Sequence, residues 1–441
     1  MSERTIWTEA QAERQLRSLE LFGMRFGLDR MRRMMTALGS PEQSFEAIHV
    51  LGTNGKSSTT RMTAAILEEH GLHVGAYLSP HLVSYRERLL IDGLELDAEA
   101  FAAAVDRAAW AAARVNRTLA DGDHVTQFEL LTAAALWEIA RREVEVAVVE
   151  AGLGGRYDAT SVIEPRVTVL TNVGLEHTRW LGPTVKDIAE EKLAALRPRA
   201  TLVLGDDLAA QALAVAERVV AEREAQVVRA RELPEASELL ARGAFQRRNF
   251  ALARAAAGSY LRLAGVAPDQ RAFARAGART LLAGRLQLLD TRPPIVLDGA
   301  HNPHAVRALV ASLPEVLAAR PPAPLALVLG VLEDKDAAEM LAALLPVAER
   351  AWFTAPPSAR ALSPAALQSL ARQLGFDASA CEPQPAPALE QARRWAAQRG
   401  GAVLVTGSVY LVGELLASLT RTRHAARDPD SEARVRGSSP R

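Results

Sequence analysis

The segment I-H-V-L-G-T-N-G-K-S-S-T-T, from Ile48 to Thr60, decides the fold of this chain. Its apolar run breaks at Gly52, the chain turns, and a helical pattern follows from Thr59 to His70. This order predicts a buried strand, a phosphate-binding loop and a helix, with backbone N–H groups and the positive helix end around phosphate oxygens and a lysine adding charge. The loop is short, because valine stands where the usual loop has its first glycine. We therefore predict that residues 52–58 bind a nucleotide.

Composition limits the class of protein. The 441 residues are 49% hydrophobic, which is enough for two or three domains with their own cores. The formal net charge is zero, so we expect neither a nucleic-acid partner nor a membrane partner. The single cysteine, Cys381, excludes an intramolecular disulfide and a cysteine-rich metal site. Because no signal peptide opens the chain and no apolar run approaches about 20 residues, we expect a cytoplasmic enzyme.

Lysine is rare in this chain. Of the 52 basic residues 48 are arginines, which leaves Lys56, Lys186, Lys192 and Lys335. Where arginine meets nearly every need for positive charge, the remaining lysines are candidates for sites that need a compact or neutralisable amine.

Polar residues follow two further strands of the predicted sheet. A strand from His73 to Leu78 leads into S-P-H-L-V-S-Y-R-E-R, which begins at Ser79. An apolar segment from Val144 to Val149 ends in Glu150, followed by the glycine-rich turn A-G-L-G-G-R-Y-D-A-T. Ligands bind at the carboxyl ends of strands in such sheets, and a carboxylate there can hold Mg²⁺. We therefore predict that Glu150 holds a magnesium ion.

A strand predicted from Arg166 to Val173 leads to His177, whose neutral imidazole would be a metal donor at the same edge. The helix from Val185 to Leu196 carries Lys192. Thr126 with Glu129 opens another helix and has the spacing of a capping box.

After a helix from Phe245 to Leu263, a second α/β alternation of about 135 residues begins. Its strands are predicted at Ile295–Leu297, Leu325–Leu329, Ala351–Thr354 and Val403–Val405. Near the amino terminus, apolar spacing predicts an amphipathic helix from Leu21 to Gly39. The tail over residues 421–441 lacks apolar periodicity and is expected to be disordered.

Eleven motifs occur in the order known from one family. The chain resembles the folylpolyglutamate synthase/dihydrofolate synthase family, relatives of the Mur peptidoglycan ligases, over about residues 20 to 418. The motifs are G-L-D-R-M from Gly27, I-H-V-L-G-T-N-G-K-S-S, S-P-H-L-V-S-Y-R-E-R, T-Q-F-E-L-L-T-A-A-A-L, E-A-G-L-G-G-R-Y-D-A-T, T-N-V-G-L-E-H-T-R-W-L-G, I-A-E-E-K, G-R-L, D-G-A-H-N-P, D-K-D and T-G-S. The S-P-H-L and T-x-F-E elements separate it from the Mur ligases.

The resemblance implies an α/β fold in two domains. Residues 1–283 would form a P-loop ATP-binding domain with a mainly parallel sheet, and residues 284–420 a smaller Rossmann-like ligase domain. It further implies a monomeric ATP-dependent ligase that joins L-glutamate to dihydropteroate, to the γ-carboxylate of tetrahydrofolate polyglutamates, or to both, through an acyl phosphate. The implied cofactors are ATP and two Mg²⁺ ions, with no haem, flavin or NAD.

The resemblance also implies roles for individual residues. ATP would contact Gly52, Thr53, Asn54, Gly55, Lys56, Ser57, Ser58, Asn249, Arg285 and Asp298. Magnesium would be held by Ser79, Glu150 and His177. The pterin substrate would lie against Thr126, Gln127, Phe128, Glu129, Tyr157, Asp158 and Ala159. Catalysis would involve Lys56, Glu150, His177, His301 and Lys192, the last as a carbamylated lysine, which requires a neutral amine. His301, Asn302 and Lys335 would serve domain closure or glutamate binding.

The chain departs from the family pattern at five positions. Ser57 stands where the family has glycine, and its hydroxyl either competes for Mg²⁺ or tightens the turn. Glu176 replaces aspartate, Ser161 replaces asparagine, and Gln127 and Tyr157 replace apolar residues. These changes concern the choice of substrate more than ATP chemistry.

Two other functions share parts of the pattern. A Mur-type or other ATP-dependent amide ligase would have the phosphate loop, D-G-A-H-N-P and the two-domain plan. A non-catalytic ATP-binding regulator would bind nucleotide without turnover.

Overall fold

The computed structural model describes residues 7–19, 27–231, 233, 238–289, 291–317 and 324–427, with side chains up to residue 421. The chain divides into two compact units, Met1–Leu281 and Leu282–Arg441. Among the described residues, no helix is both long and apolar enough to cross a membrane.

The first unit contains an eight-stranded sheet in the order β4-β3-β2-β5-β1-β6-β7-β8. The pairs from β2 to β8 are parallel, and β3 and β4 add antiparallel at one edge. The strands are β1 Glu46–Leu51, β2 Val74–Tyr77, β3 Leu89–Ile91, β4 Leu94–Glu95, β5 Val146–Glu150, β6 Val167–Leu170, β7 Thr201–Leu204 and β8 Gln226–Arg229. β1 lies in the middle, with β5 and β6 as its parallel neighbours, so the loops that follow these three strands emerge side by side.

Helices cover both faces of this sheet, as a parallel sheet requires. They are α1 Glu9–Ser18, α2 Asp29–Leu38, α3 Lys56–Glu68, α4 Ala98–Asn116, α5 Gln127–Arg141, α6 Thr178–Leu181, α7 Val185–Leu193, α8 Ala210–Glu222, α9 Ala244–Leu263 and α10 Gln270–Arg279. One apolar core joins α1, α2, α4 and α5 to the sheet through side chains such as Ala47 and Val149. A second joins α7 and α8 to Leu51 and Leu170.

The second unit contains a six-stranded sheet in the order β13-β12-β11-β14-β10-β9, parallel except for β9. Its strands are β9 Gln287–Leu289, β10 Ile295–Leu297, β11 Leu325–Leu329, β12 Arg350–Phe353, β13 Ser379–Cys381 and β14 Ala402–Thr406. Its helices are α11 Pro303–Leu317, α12 Ala337–Leu344, α13 Pro364–Gln373, α14 Pro385–Ala397 and α15 Val409–Arg427. The predicted α/β fold with a mainly parallel sheet is confirmed in both units.

Two expectations from the sequence need correction. The disorder expected from residue 421 is wrong for residues 421–427, because α15 continues to Arg427; residues 428–441 lie outside the described residues. The helix expected over Leu21–Gly39 begins only at Asp29, and Gly27 and Leu28 precede it; residues 20–26 are also outside the described part.

Candidate active site

The phosphate loop joins β1 to α3 and depends on two glycines. Gly52 and Gly55 have φ angles of 147° and 83°, which side-chain-bearing residues rarely adopt. A Cβ on Gly52 would collide with the Thr171 hydroxyl, and one on Gly55 would collide with the side-chain oxygen of Asn249. Asn249, which the resemblance assigned to ATP, therefore lies directly against the turn that opens α3.

Residues after β6 hold the loop from its other side. Asn172 accepts a 2.9 Å hydrogen bond from the Asn54 N–H and donates one of 3.1 Å to the Asn54 carbonyl. The Thr171 hydroxyl donates to the same carbonyl at 2.7 Å. Thr53 exchanges hydrogen bonds with the backbone of Gly174. These hydrogen bonds hold the loop in place, and the Lys56 ammonium donates to the Thr53 carbonyl at 3.0 Å.

Glu150, at the end of β5, meets two serines. Its Oε1 accepts a 2.9 Å hydrogen bond from the Ser57 hydroxyl, and its Oε2 accepts one of 3.0 Å from the Ser79 N–H. Only 1% of Glu150 is exposed. The structure therefore brings together the carboxylate and the serine predicted for magnesium, and adds the hydroxyl of Ser57.

His177 follows β6 and caps the short helix α6 in the left-handed conformation, with φ 51°. Its Nε2 lies 3.9 Å from Glu176 Oε1. No group of three or more His, Cys, Asp or Glu side chains placed to hold a metal occurs within the described ranges. The predicted set has only two such residues, and its third member is a serine. A buried carboxylate beside the Ser57 hydroxyl suits a hard cation, which prefers oxygen donors.

The side chain of Lys192 extends from α7 to the backbone at the start of the phosphate loop. Its Nζ donates a 2.8 Å hydrogen bond to the Gly52 carbonyl, and 4% of the residue is exposed. Burial, together with the charge of Lys56, lowers its pKa to about 7, although the carboxylates of Glu176 and Asp158 oppose this shift. The neutral form of this amine is therefore more accessible than that of an exposed lysine.

The glycine-rich turn after β5 has little room for side chains. A Cβ on Gly155 would collide with the backbone of Lys192, and one on Gly152 would lie 2.5 Å from the Phe128 ring. Asp158 is buried and accepts hydrogen bonds from the Leu153 N–H at 2.7 Å and the Thr160 N–H at 3.0 Å. Burial raises the pKa of Asp158, while these N–H groups, the Thr160 hydroxyl and Lys56 act in the opposite direction. Of the three predicted substrate residues here, Tyr157 is exposed, and Asp158 and Ala159 are buried.

In T-Q-F-E, the structure gives three residues internal partners. Thr126 and Glu129 form the capping box of α5. Glu129 Oε1 also accepts a 3.0 Å hydrogen bond from Arg30 Nε, and both side chains are more than nine-tenths buried. Gln127 donates to the Leu16 carbonyl at 3.0 Å and to the Tyr85 hydroxyl at 3.2 Å.

The loop from Ser79 to Arg88 is ordered by one carboxylate. Glu87 accepts hydrogen bonds from three successive N–H groups, those of Leu82, Val83 and Ser84, at 2.7 to 2.8 Å. Arg88 Nε donates to His81 Nδ1 at 3.0 Å, so that nitrogen carries no proton. Burial, and then the charge of Arg88, lowers the pKa of His81 to about 3.

In the second unit, predicted residues gather after β10. Asp298 is buried and accepts 2.7 Å hydrogen bonds from the N–H groups of Leu286 and Ala300. Burial raises its pKa, and Arg285 opposes this most strongly. His301 Nδ1 donates to the Gly299 carbonyl at 2.9 Å.

The other two second-unit candidates have local partners. Asn302 accepts from the Ala305 N–H at 2.8 Å at the start of α11. Lys335 lies after β11 and pairs with Asp334 at 3.3 Å.

Sequence reasoning gave no role to several residues that shape the site. Thr171 and Asn172 directly follow a buried strand, and this position could have indicated that they contact the phosphate loop. Arg30 stands in a quoted motif, but nothing in the sequence names Glu129 as its partner. His49 lies in an apolar strand and resembles an ordinary core residue.

Comparisons with known proteins cover both units. The model of the Mur ligase middle domain matches residues 50–223, and that of the Mur ligase, glutamate ligase domain, matches residues 284–409. The dihydrofolate synthase/folylpolyglutamate synthase of Bacillus subtilis is 31% identical over 422 residues, which are 89% of this chain and 95% of that protein. This chain belongs to the folylpolyglutamate synthase/dihydrofolate synthase family. The expected resemblance to that family is confirmed.

Another relative of the family is longer. A protein of Haloferax volcanii described as a probable bifunctional folylpolyglutamate synthase/dihydropteroate synthase is 36% identical over 429 residues. The match covers 91% of this chain but 49% of that protein, so the chain spans about half its length.

The fold of the family also matches. The structure of Escherichia coli FolC in complex with DHPP and ADP has a TM-score of 0.82 and 29% identity, covering 96% of this chain and 100% of that one.

Proposed function

We propose that this protein is an ATP-dependent ligase that joins L-glutamate to dihydropteroate, to the γ-carboxylate of tetrahydrofolate polyglutamates, or to both. The observation that carries the proposal is the contact of Glu150, at the end of β5, with Ser57 of the phosphate loop and with Ser79, while Lys56 of the same loop donates to the Thr53 carbonyl. Family membership supports the choice of substrates. FolC of Escherichia coli has been solved with DHPP and ADP, and the same ligand classes are proposed for this chain.

The reaction needs activation of a carboxylate, because its oxygen is a poor leaving group and its charge repels an amine. Transfer of the γ-phosphoryl group of ATP to that carboxylate gives an acyl phosphate. The glutamate amine attacks the acyl carbon, the C–O bond to phosphate breaks, the amine loses a proton and phosphate leaves. The loop N–H groups and the Lys56 ammonium would neutralise charge on the transferred phosphoryl group, the effect that dominates such transfers.

Magnesium would be held by Glu150, Ser79 and His177, and when bound it supplies further neutralisation of phosphate charge. The chain's own contribution is to place a buried carboxylate and a serine beside the loop. Arg285 and Asp298 are proposed to contact ATP from the second unit, while His301, Asn302 and Lys335 are proposed to serve glutamate binding or closure. The number of magnesium ions and the monomeric state also stay predictions.

Lys192 is proposed to react with CO2 to form a carbamate, with loss of one proton from its nitrogen. Its lowered pKa supports this, because only the neutral amine attacks CO2. Carbon-13 NMR with labelled bicarbonate should give a carbamate signal that Lys192→Ala removes. An unchanged signal in that variant would place the carbamate elsewhere, and no signal in either protein would reject it.

The test of the function is ADP release by the purified protein with Mg²⁺, ATP and glutamate, plus either dihydropteroate or tetrahydrofolate, and product identification by mass. Turnover with both substrates would make the protein bifunctional, and turnover with one would assign a single role. ATP hydrolysis without a ligated product, or no turnover, would contradict the proposal and leave the Mur-type ligase or the ATP-binding regulator.

A further inference from the structure

His49 is a buried polar residue to which the proposed reaction gives no task. It lies in the middle of β1, three residues before Gly52, and none of its surface is exposed. Burying an imidazole is unfavourable unless its polar atoms have partners. Its Nε2 has one, the hydroxyl of Thr160, at 2.8 Å.

The hydrogen bond from His49 continues to the glycine-rich turn. The Thr160 hydroxyl donates to Asp158 Oδ1 at 2.5 Å. Asp158 in turn accepts the Leu153 N–H on its other oxygen. A chain of hydrogen bonds therefore leads from the strand that feeds the phosphate loop to the turn whose Tyr157 and Ala159 are proposed to meet the substrate.

The protons along this series of hydrogen bonds can be assigned for an ionised Asp158, the form that its N–H donors and Lys56 favour. A hydroxyl has one proton, and Thr160 gives it to Asp158. Its oxygen must then accept the proton of His49 Nε2, so Nε2 is protonated and Nδ1 is not. Nδ1 has no hydrogen-bond partner among the described residues. Burial, and then the charge of Arg197, lowers the pKa of His49 to about 3, which agrees with a neutral ring.

The glycine-rich turn, which these hydrogen bonds hold, packs against two residues that are predicted to function in the site. Gly152 contacts the Phe128 ring, and Gly155 contacts the backbone of Lys192. Because a Cβ fits at neither position, a displacement of the turn would move Phe128 and the end of α7 with it.

We propose that His49 is a positioning residue, which through Thr160 holds Asp158 and the turn from Leu153 to Asp158 in the shape that receives the folate substrate. This inference adds a substrate-positioning residue to the proposed function, and its kinetic test rests on that function. The tautomer and the coupling between His49 and Thr160 can be measured without turnover.

The kinetic test compares two substitutions at one position. His49→Leu removes the donor, whereas His49→Gln keeps an N–H group at similar reach. We expect His49→Leu to raise KM for the folate substrate roughly 10-fold, equivalent to the loss of about one hydrogen bond, and to leave KM for ATP within about 2-fold. His49→Gln should restore most of the difference. Equal effects on both KM values, or no rescue by glutamine, would overturn the positioning role.

Two further measurements keep the proposal testable if His49→Leu fails to fold. Nitrogen-15 NMR of histidine-labelled protein should show a neutral Nε2–H ring that does not titrate between pH 5 and 8, assigned by its loss in His49→Gln. A proton on Nδ1 would mean that both hydrogen bonds run in the opposite direction and would overturn the assignment.

In urea unfolding, Thr160→Val and His49→Phe, which keeps a ring but lacks the donor, should together destabilise less than the sum of the single changes, because both break the same series of hydrogen bonds. Additive effects would show that the two residues act independently. If NMR and unfolding give the expected results while no folate turnover is found, the proposed function fails and the hydrogen-bond chain stands.

Discussion

The Nζ atom of Lys192 donates a 2.8 Å hydrogen bond to the carbonyl oxygen of Gly52, which lies 140 residues earlier in the chain. Gly52 opens the phosphate loop, so α7 and the loop are joined by an amine that is almost fully buried. A change in the charge of this amine therefore changes the strength of its hydrogen bond to the Gly52 carbonyl, at the start of the loop.

The stability of the protein should increase with pH because of Lys192. Burial lowers its folded-state pKa to about 7, against about 10.4 in an unfolded chain. Between these values the unfolded state binds a proton that the folded state does not, so the free energy of unfolding rises with pH, by at most about 1.4 kcal/mol per pH unit. We expect the difference between wild type and Lys192→Met to rise from pH 7.5 to 9.5 in CO2-free urea titrations. A constant difference would mean an ordinary lysine.

Replacement of Lys56 by alanine should reduce turnover roughly 100-fold to 1,000-fold, the usual cost of losing one group that stabilises the transition state. The melting temperature should change little, since the side chain is only partly buried and its hydrogen bond ends on a loop carbonyl. Lys186→Ala, at an exposed position of α7, is the matched control. Near-normal turnover in Lys56→Ala would remove the lysine from the chemistry.

Gly55→Ala should abolish nucleotide binding. Its φ of 83° is unfavourable for alanine, and the new Cβ would collide with Asn249. Gly71 has a φ of 81° but no atom within 4 Å of the position that a Cβ would take, so Gly71→Ala carries the backbone strain alone. Binding of a fluorescent ATP analogue should be lost in the first variant and kept in the second. Loss in both would point to general destabilisation instead.

Ser57 should contribute to metal binding. Its hydroxyl lies 2.9 Å from Glu150 Oε1 and directly follows the loop lysine, where the serine or threonine of ordinary phosphate loops contacts Mg²⁺. We expect Ser57→Ala to weaken Mn²⁺ binding roughly 10-fold in the presence of a non-hydrolysable ATP analogue, measured by electron paramagnetic resonance. Ser57→Thr, which keeps the hydroxyl, should bind normally. Unchanged or tighter binding in Ser57→Ala would instead assign the hydroxyl to the turn.

The buried pair of Arg30 and Glu129 should matter for stability. Removing one partner leaves a buried charge unpaired, so Arg30→Met should lower the free energy of unfolding by about 3 kcal/mol or more. Arg33 on the same helix pairs with Asp29 at 2.8 Å in exposed surroundings, and Arg33→Met should cost less than about 1 kcal/mol. Equal losses in urea unfolding would show that burial of the first pair has no special effect.

The apolar strands could be predicted from the sequence because they are buried on both faces. Ile295–Leu297 and Leu325–Leu329 have the predicted bounds. The strands that were missed, such as β4 and β8, lie at sheet edges and are largely exposed, so no apolar run marks them.

Those parts of the candidate site that a single local motif forms could be predicted from the sequence. The phosphate loop and Glu150 were predicted because each follows a strand, and Lys192 because lysine is rare in this chain and stands in the family motif I-A-E-E-K. The partners of Asn54 and Glu129 were not, since hydrogen bonds across about 100 residues depend on strand order and helix packing, which the sequence does not reveal.

The three hydrogen bonds that Glu87 accepts from Leu82, Val83 and Ser84 have a thermodynamic consequence. Because the loop is ordered by its own carboxylate, the conformational entropy of placing Ser79, the proposed magnesium ligand at its start, is lost during folding and not during metal binding. Calorimetry should therefore find that replacing Glu87 by glutamine makes the entropy of Mg²⁺ binding more unfavourable, even where the affinity changes little.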